Sequence, residues 1–133
     1  MRRVVVTGMG LLSSIGNDKE TTWENLINCK SGIKKINHFD TSDLSSKIAG
    51  YINNNPGDED YFNKSSSLEL RDIKRNDRFI QYGILAAKMA IDDAGLTNLN
   101  EENRLKVGVS VGSGIGGLET IYEGSLTISN KNS

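Results

Sequence analysis

The stretch that decides the fold of this chain is Val107-Gly-Val-Ser-Val-Gly-Ser-Gly-Ile-Gly-Gly-Leu-Glu119. Its apolar first part predicts a buried strand over residues 106–111, and a helix is predicted from residue 118 to about residue 126. Between them lie four glycines within six residues: Gly112, Gly114, Gly116 and Gly117. Glycine tolerates positive φ and close backbone approach, so residues 112–117, here called the glycine run, are expected to face a site.

The residues before the glycine run predict alternating strands and helices. Val4-Val5-Val6-Thr7 is a continuous β-branched run, which is typical of a strand buried on both faces of a parallel sheet. Asn17 is a suitable helix N-cap with Glu20 three residues later, so a helix is expected to about residue 30 and to end by Gly32. A short strand is predicted over residues 47–52.

A longer helix is predicted from residue 76 or 77 to residue 94. The apolar residues Ile80, Ile84, Ala87 and Ile91 repeat with helical spacing, and Gly95 provides a C-terminal stop. The order β-α-β-α-β-α predicts a layered α/β fold with a largely parallel sheet. Three strands make a thin sheet, so we expect an incomplete unit.

Composition excludes several classes of function. A length of 133 residues allows one domain, and a net charge of −1 gives no general attraction to nucleic acid or anionic membranes. The single cysteine, Cys29, excludes an internal disulfide and agrees with a reducing cytoplasm. No segment approaches the roughly 18 apolar residues of a membrane span, and the apolar run near Met1 is too short for a signal peptide. We therefore expect a cytoplasmic protein.

Cys29 and His38 are the candidate catalytic residues of the sequence. Cys29 lies near the C-terminal end of a predicted helix, where the helix dipole disfavours a thiolate. His38 is the only histidine, so neither a defined Cys-His pair nor a metal site can be built from the sequence. We expect no catalytic residue, no metal site and no cofactor in this chain.

Two further patterns each allow two interpretations. Gly112, Gly114 and Gly117 fit the dinucleotide fingerprint G-x-G-x-x-G, but no strand with an acidic ribose ligand can follow within the remaining residues. A local basic cluster is formed by Arg71, Lys74, Arg75 and Arg78. From the residues alone this cluster is either a docking surface or a solvated face balanced by the neighbouring acidic residues.

Several motifs taken together resemble the N-terminal part of a β-ketoacyl-acyl-carrier-protein synthase of type II. The resemblance covers essentially the whole chain, and the last two motifs are the most specific. The matching stretches are Arg2-Arg-Val-Val-Val-Thr-Gly-Met-Gly10, Ser31-Gly-Ile33, His38-Phe-Asp-Thr41, Ile48-Ala-Gly50, Asp77-Arg-Phe-Ile-Gln-Tyr-Gly83 and Gly112-Ser-Gly-Ile-Gly-Gly-Leu-Glu119. Asn76 departs from the methionine that members often carry at this position.

The resemblance implies a thiolase fold, in which two similar α/β halves pack as layers and the protein works as a homodimer. Residues 1–133 would be the N-terminal part of the first half. The implied reaction elongates a fatty acyl chain by decarboxylative condensation with malonyl-acyl-carrier-protein. The nucleophilic cysteine and two assisting histidines of the family would lie beyond residue 133, and Cys29 does not match the catalytic position.

The resemblance also assigns roles to particular residues. Ile115, with Gly114 beside it, matches the acyl pocket of the family. Arg71, Lys74 and Arg75 match the basic stretch that docks acyl carrier protein, so the expected partners are that protein and malonyl and acyl thioesters. Two alternatives remain at this point: an inert carrier-binding or dimerising module, and a nicotinamide-cofactor oxidoreductase.

Overall fold

A computed structural model describes residues 1–53, 62 and 68–131, with the backbone alone for residues 70–72. Within these residues the chain forms five helices and two strands. In chain order they are α1 (Lys19–Ile27), β1 (Ile33–Lys35), β2 (Ile48–Gly50), α2 (Leu70–Arg75), α3 (Arg78–Asp93), α4 (Glu101–Arg104) and α5 (Leu118–Lys131).

Helix α3 carries the most deeply buried of the described side chains and makes hydrogen bonds to three other parts of the chain. Its Leu85 is only 1% exposed and forms the described core with Phe62 and Leu68. The helix ends where the sequence predicts, because Gly95 takes a φ of 68° just after the C-cap residue Ala94. The amides of Gly95 and Leu96 then donate to carbonyls of the last turn, both at 3.0 Å, which satisfies groups that a helix end leaves unpaired.

Helix α1 begins and ends differently from the prediction. Its N-cap is Asp18 rather than Asn17, since Asp18 has an extended backbone and its carboxylate accepts from the amide of Thr21 at 2.7 Å. The helix ends at Ile27 rather than near residue 30, and the left-handed residue that follows the C-cap is Cys29, with a φ of 54°, rather than Gly32. Cysteine therefore occupies a position that favours glycine.

The predicted parallel sheet is not confirmed. In the described part of the chain the sheet consists of β1 and β2, which pair antiparallel with Ile33 opposite Gly50. Strand β2 confirms the short strand predicted over residues 47–52, whereas β1 was not predicted. Residues 4–7 and 106–111 are not in strands, and Val4 and Val109 are 94% and 86% exposed. A strand needs a neighbouring backbone for its N–H and C=O groups, and the described residues supply none here.

The segment around Gly8 and Gly10 lies directly against the backbone of α3. A Cβ atom at position 10 would overlap the carbonyl oxygen of Ala86 and lie 2.6 Å from the nitrogen of Ala90. A Cβ at position 8 would lie 2.6 Å from the nitrogen of Ala94. The two glycines therefore allow a close crossing that larger residues would prevent.

Gly10→Ala tests this crossing. We expect it to lower the free energy of unfolding by about 1–3 kcal/mol, because an added methyl group must push two backbones apart. Urea denaturation of the chain measures the change through the midpoint. Gly108→Ala is the matched control, since no atom lies within 4 Å of a Cβ there. Equal midpoints for the two variants would show that the crossing is not tight.

Asp93 joins three parts of the chain near the C-terminal end of α3. Its carboxylate accepts from the amide of Met9 at 2.9 Å and pairs with the ammonium group of Lys19 at the start of α1. The hydrogen bond from Lys19, followed by that from Met9, lowers the pKa of Asp93 below its usual 3.8. The hydrogen bond to Asp93 raises the pKa of Lys19 above 10.5.

The lowered pKa of Asp93 and the raised pKa of Lys19 set the pH range in which this ion pair stabilises the fold. A carboxyl group with a lowered folded-state pKa contributes above its unfolded pKa and loses that contribution as pH falls through the folded one. A lysine with a raised pKa contributes below its unfolded pKa and loses it as pH rises through the folded one. Asp93→Asn should therefore lower the melting temperature at neutral pH. The difference should shrink below about pH 4 and above about pH 10.5.

Thermal denaturation across this pH range, with Asp92→Asn as the control, measures the effect. Asp92 is an exposed neighbour on the same helix turn. Its replacement removes an equal charge and leaves the contacts of Asp93 with Lys19 and Met9 in place. An Asp93→Asn difference that is constant with pH would contradict the role of the ion pair.

Candidate functional site

The C-terminal end of α2 is attached to α3 by a buried glutamine. Gln81 is 5% exposed, and its Nε2 donates to the carbonyl oxygens of Ile73 at 3.1 Å and Asn76 at 2.7 Å. The last carbonyls of a helix have no partner within the helix, so Gln81 satisfies groups that would otherwise need water. Sequence reasoning missed this residue. The available signal was a polar residue four positions before the buried Leu85 on the apolar side of α3.

The predicted basic cluster divides between two helices. Lys74 and Arg75 are exposed in the last turn of α2, and Arg71 belongs to the same helix, although its side chain lies outside the description. Spacing of three and four residues places such positions on one side of a helix. Arg78 instead begins α3, and its guanidinium pairs with the carboxylate of Glu119 at 3.0 Å. Among the described side chains of the cluster, those exposed on α2 are therefore Lys74 and Arg75.

The glycine run leads directly into α5 and contacts the first turn of α3. Gly116 has a φ of 80°, and its amide donates to the hydroxyl of Ser113 at 3.1 Å. Gly117 lies against Asp77, since a Cβ at position 117 would be 2.9 Å from the carboxyl carbon of Asp77. Gly116 is thus required by its positive φ, and Gly117 is required because Asp77 leaves no room for a side chain.

The two predicted pocket residues lie in the open part of the glycine run. Ile115 is 76% exposed, and no atom lies within 4 Å of a Cβ built on Gly114. An apolar groove of about 600 Å³ lies next to them, between α3 and residues 109–113. Its lining includes Phe79, Ile84 and Val111, and also Ser113, which precedes Gly114 in the chain. A groove with this lining can bury hydrocarbon.

Neither Cys29 nor His38 lines the groove beside the glycine run. Cys29 is an exposed free thiol after the end of α1. His38 packs edge-on against Phe39 and Tyr51, with ring centroids 4.9 and 5.0 Å apart. Among the residues that the structure describes, no group of three histidine, cysteine or acidic side chains is placed to hold a metal ion.

The geometry disfavours the dinucleotide interpretation of the glycine run. Pyrophosphate would lie at the amino end of the following helix, where free N–H groups and the helix dipole attract anions. In α5 that place is taken by the carboxylate of Asp77, which accepts a hydrogen bond from the hydroxyl of Thr120. A negative side chain there would repel a phosphate.

Comparisons with known proteins agree with the motif pattern. A model of the family described as "Beta-ketoacyl synthase, N-terminal domain" matches residues 1–133. The chain belongs to this family. It is 45% identical over 130 residues to 3-oxoacyl-[acyl-carrier-protein] synthase 2 of Vibrio cholerae, a match that covers 98% of this chain and 30% of the relative. The protein of the same name from Staphylococcus aureus strain COL is 46% identical over 119 residues, which cover 90% of this chain and 27% of the relative.

A solved structure supports the layered α/β thiolase-like fold of this segment. The ishigamide ketosynthase/chain length factor matches 77% of this chain and 23% of its own chain, with a TM-score of 0.58 and 34% sequence identity. The chain thus spans less than a third of the proteins it matches and corresponds to the N-terminal segment of a ketoacyl synthase. No helix in the described ranges combines the length and the apolar character that crossing a membrane requires.

Proposed function

We propose that this chain is the N-terminal segment of a 3-oxoacyl-[acyl-carrier-protein] synthase that elongates fatty acyl chains by decarboxylative Claisen condensation. The observation that carries the proposal is 45% identity, over 98% of the chain, to a protein of that name. The exposed cations at the end of α2 and the open glycine run beside an apolar groove agree with it. The enzyme would be a cytoplasmic homodimeric acyltransferase.

The proposed reaction has two stages. An acyl group passes from its carrier thioester to a cysteine sulfur, and the carrier thiol leaves. Malonyl-carrier-protein then loses carbon dioxide, and the resulting carbanion attacks the acyl-cysteine carbonyl and expels the thiolate. The cysteine and its two assisting histidines would come from the part of the synthase beyond this segment. Cys29 is an exposed free thiol after the end of α1, and it does not match the catalytic position of the family.

The rest of the synthase would also complete the parallel sheet. Residues 4–7 and 106–111 carry exposed valines such as Val4 and Val109, and their backbones lie outside the described ladder. Residues 4–7 form a continuous β-branched run, which is typical of a strand covered on both faces, and residues 106–111 carry valine at every second position, which is typical of a strand with one apolar face. We therefore propose that both segments pair as strands in the intact protein.

The end of α2 would dock the carrier protein. Lys74 and Arg75 are exposed there, and Gln81 fixes the carbonyl end of the helix on α3. Together with Arg71 they would present three positive charges to an acidic helix of the carrier. Complementary charge of this kind speeds encounter and fixes orientation.

The glycine run would face the acyl chain through Gly114 and Ile115. Glycines on both sides of Ile115 allow the backbone to come close to a bound chain, and the neighbouring groove is lined by apolar side chains of α3. Ile115 would then limit the space available to long chains.

A chimera tests the proposed function. Residues of this chain replace the 130 aligned residues of the Vibrio cholerae synthase, and the rest of that protein is retained. We expect the chimera to condense acyl-carrier-protein with malonyl-carrier-protein. The control is the retained part alone, which should be inactive. A folded chimera that performs no condensation would contradict the proposal, and binding of carrier protein without transfer would favour the inert module.

Ile115→Phe in the chimera tests the acyl pocket. The larger ring should hinder long acyl chains more than short ones, since overpacking costs about 1–3 kcal/mol, at least about fivefold in a rate ratio. Transfer rates measured over a series of acyl lengths give the ratio. Ile128→Phe is the matched control, because Ile128 is similarly exposed, at 64%, but lies near the far end of α5. Equal loss at every length would count against a pocket role.

A further inference from the structure

Asp77 has an unusual arrangement for a residue that precedes a helix. Its backbone is the N-cap of α3, with φ −60° and ψ 158°, yet its side chain makes no hydrogen bond to that helix. An aspartate in this position usually accepts from an amide two or three residues later. Here the carboxylate accepts from the hydroxyl of Thr120 in the first turn of α5, 43 residues away. The side chain of Asp77 therefore serves another helix.

The carboxylate of Asp77 contacts two residues at the start of α5, Gly117 and Thr120. Gly117 directly precedes this helix, and a Cβ there would be 2.9 Å from the carboxyl carbon of Asp77, while Thr120 is the third helical residue. A negative group at a helix amino end is stabilised by the helix dipole. Asp77 thus contacts the start of α5 from outside that helix.

Two neighbouring residues of α3 add contacts to the same turn. Arg78 pairs with Glu119 at 3.0 Å, and the ring of Phe79 lies 3.6 Å from a Cβ built on Gly117 and 3.8 Å from one built on Gly116. The end of the glycine run is therefore placed by three consecutive residues of α3 and its cap. The same part of α3 holds the end of α2 through Gln81.

We propose that Asp77 is a positioning residue for the acyl pocket. By holding Gly117 and Thr120, it fixes the end of the glycine run and with it the placement of Ile115, and so contributes to acyl-length selectivity. The inference rests on the proposed function, because Ile115 matters for selectivity only in a working synthase. Asp77 itself need not touch the substrate.

Thr120→Val in the chimera is the first test. It removes the hydroxyl that contacts Asp77 while keeping the shape of the side chain. We expect the ratio of kcat/KM for long and short acyl substrates to change by about two- to tenfold, which corresponds to the net contribution of one typical hydrogen bond. Thr120→Ser, which keeps the hydroxyl, should restore the original ratio.

Thr127→Val is the matched control on the same helix. The hydroxyl of Thr127 donates to the carbonyl of Glu123 at 2.9 Å, within α5. If threonine hydroxyls only stabilise α5, Thr120→Val and Thr127→Val should change the selectivity ratio equally. That result, or an unchanged ratio in Thr120→Val, would overturn the proposal.

A double-mutant cycle tests the contact between Asp77 and Gly117. Gly117→Ala should shift the selectivity ratio, because the added methyl group meets the carboxylate. Asp77→Ala removes the obstructing group, so the double variant should lie closer to the unsubstituted protein than the sum of the two single changes predicts. If the effects of the two substitutions on the selectivity ratio were additive, the contact between Asp77 and Gly117 would not be the cause of the change.

Failure of the proposed function gives a different result. An unsubstituted chimera without condensing activity overturns the enzyme assignment, and the selectivity role with it. Hydrogen exchange in the chain itself then decides the positioning role, through amides such as that of Ile121, which donates to Gly117 at 3.1 Å. Faster exchange over residues 116–121 in Thr120→Val than in Thr127→Val supports it, and equal exchange overturns it.

Discussion

The 133-residue chain on its own should release no carbon dioxide from malonyl-carrier-protein. Cys29 and His38 are its only cysteine and histidine. The thiol is exposed after the end of α1, and the imidazole packs edge-on against Phe39 and Tyr51. Without an activated nucleophile, the rate should fall by at least about 10⁶-fold relative to an intact enzyme. Release of labelled carbon dioxide measures this directly.

Cys29→Ala provides the control for that expectation. In the chimera this variant should condense at the unsubstituted rate, because the proposed nucleophile comes from the retained part of the synthase. The opposite pattern would be release by the isolated chain that Cys29→Ala abolishes. It would place the nucleophile within this segment and would contradict the proposed division of the enzyme.

The helices were predictable where local sequence alone determines them. Helix α3 combines a regular apolar repeat with Gly95, and both signals depend only on neighbouring residues, so its bounds are close to those observed. The start of α1 was missed by one residue because Asn17 and Asp18 are both good caps, and only the backbone decides between them. Strand β1 has a single apolar residue, Ile33, which leaves no period to detect.

The sheet was less predictable because pairing depends on other segments. Residues 4–7 are all β-branched and residues 106–111 include three valines, a composition typical of strands, but composition does not supply a neighbouring backbone. In the described residues the pairing that forms is between β1 and β2, and it is antiparallel. Composition therefore indicates which segments are suited to form strands, but it does not indicate which segments pair with one another.

The candidate site shows the same limit. The glycine run and the cations of α2 were recognisable from residue type and spacing. The contact between Asp77 and Thr120 joins residues 43 positions apart and has no sequence period that could reveal it. Arg78 likewise pairs with Glu119, 41 positions away, and so differs from the other cations of the basic cluster. The sequence alone does not reveal this pairing.

Reversal of the three α2 cations should have a large effect on use of the carrier protein. We expect Arg71→Glu, Lys74→Glu and Arg75→Glu together in the chimera to lower kcat/KM for acyl-carrier-protein by about 10- to 100-fold at low salt, mainly through association. The defect should shrink as salt rises, since the Debye length falls from about 10 Å at 0.1 M to about 3 Å at 1 M. Arg78 is left unchanged because its guanidinium pairs with Glu119.

Two controls separate docking from other causes. Acyl-pantetheine lacks the acidic protein, so the triple variant should use it almost as well as the unsubstituted chimera does. A second variant reverses Lys30, Lys35 and Lys131, which are exposed elsewhere, and makes the same change in net charge. Stopped-flow acylation with both substrates at two salt concentrations measures all three proteins. A defect with acyl-pantetheine equal to that with the carrier protein would mean that the cations of α2 support the fold, because a docking surface acts only on the substrate that docks.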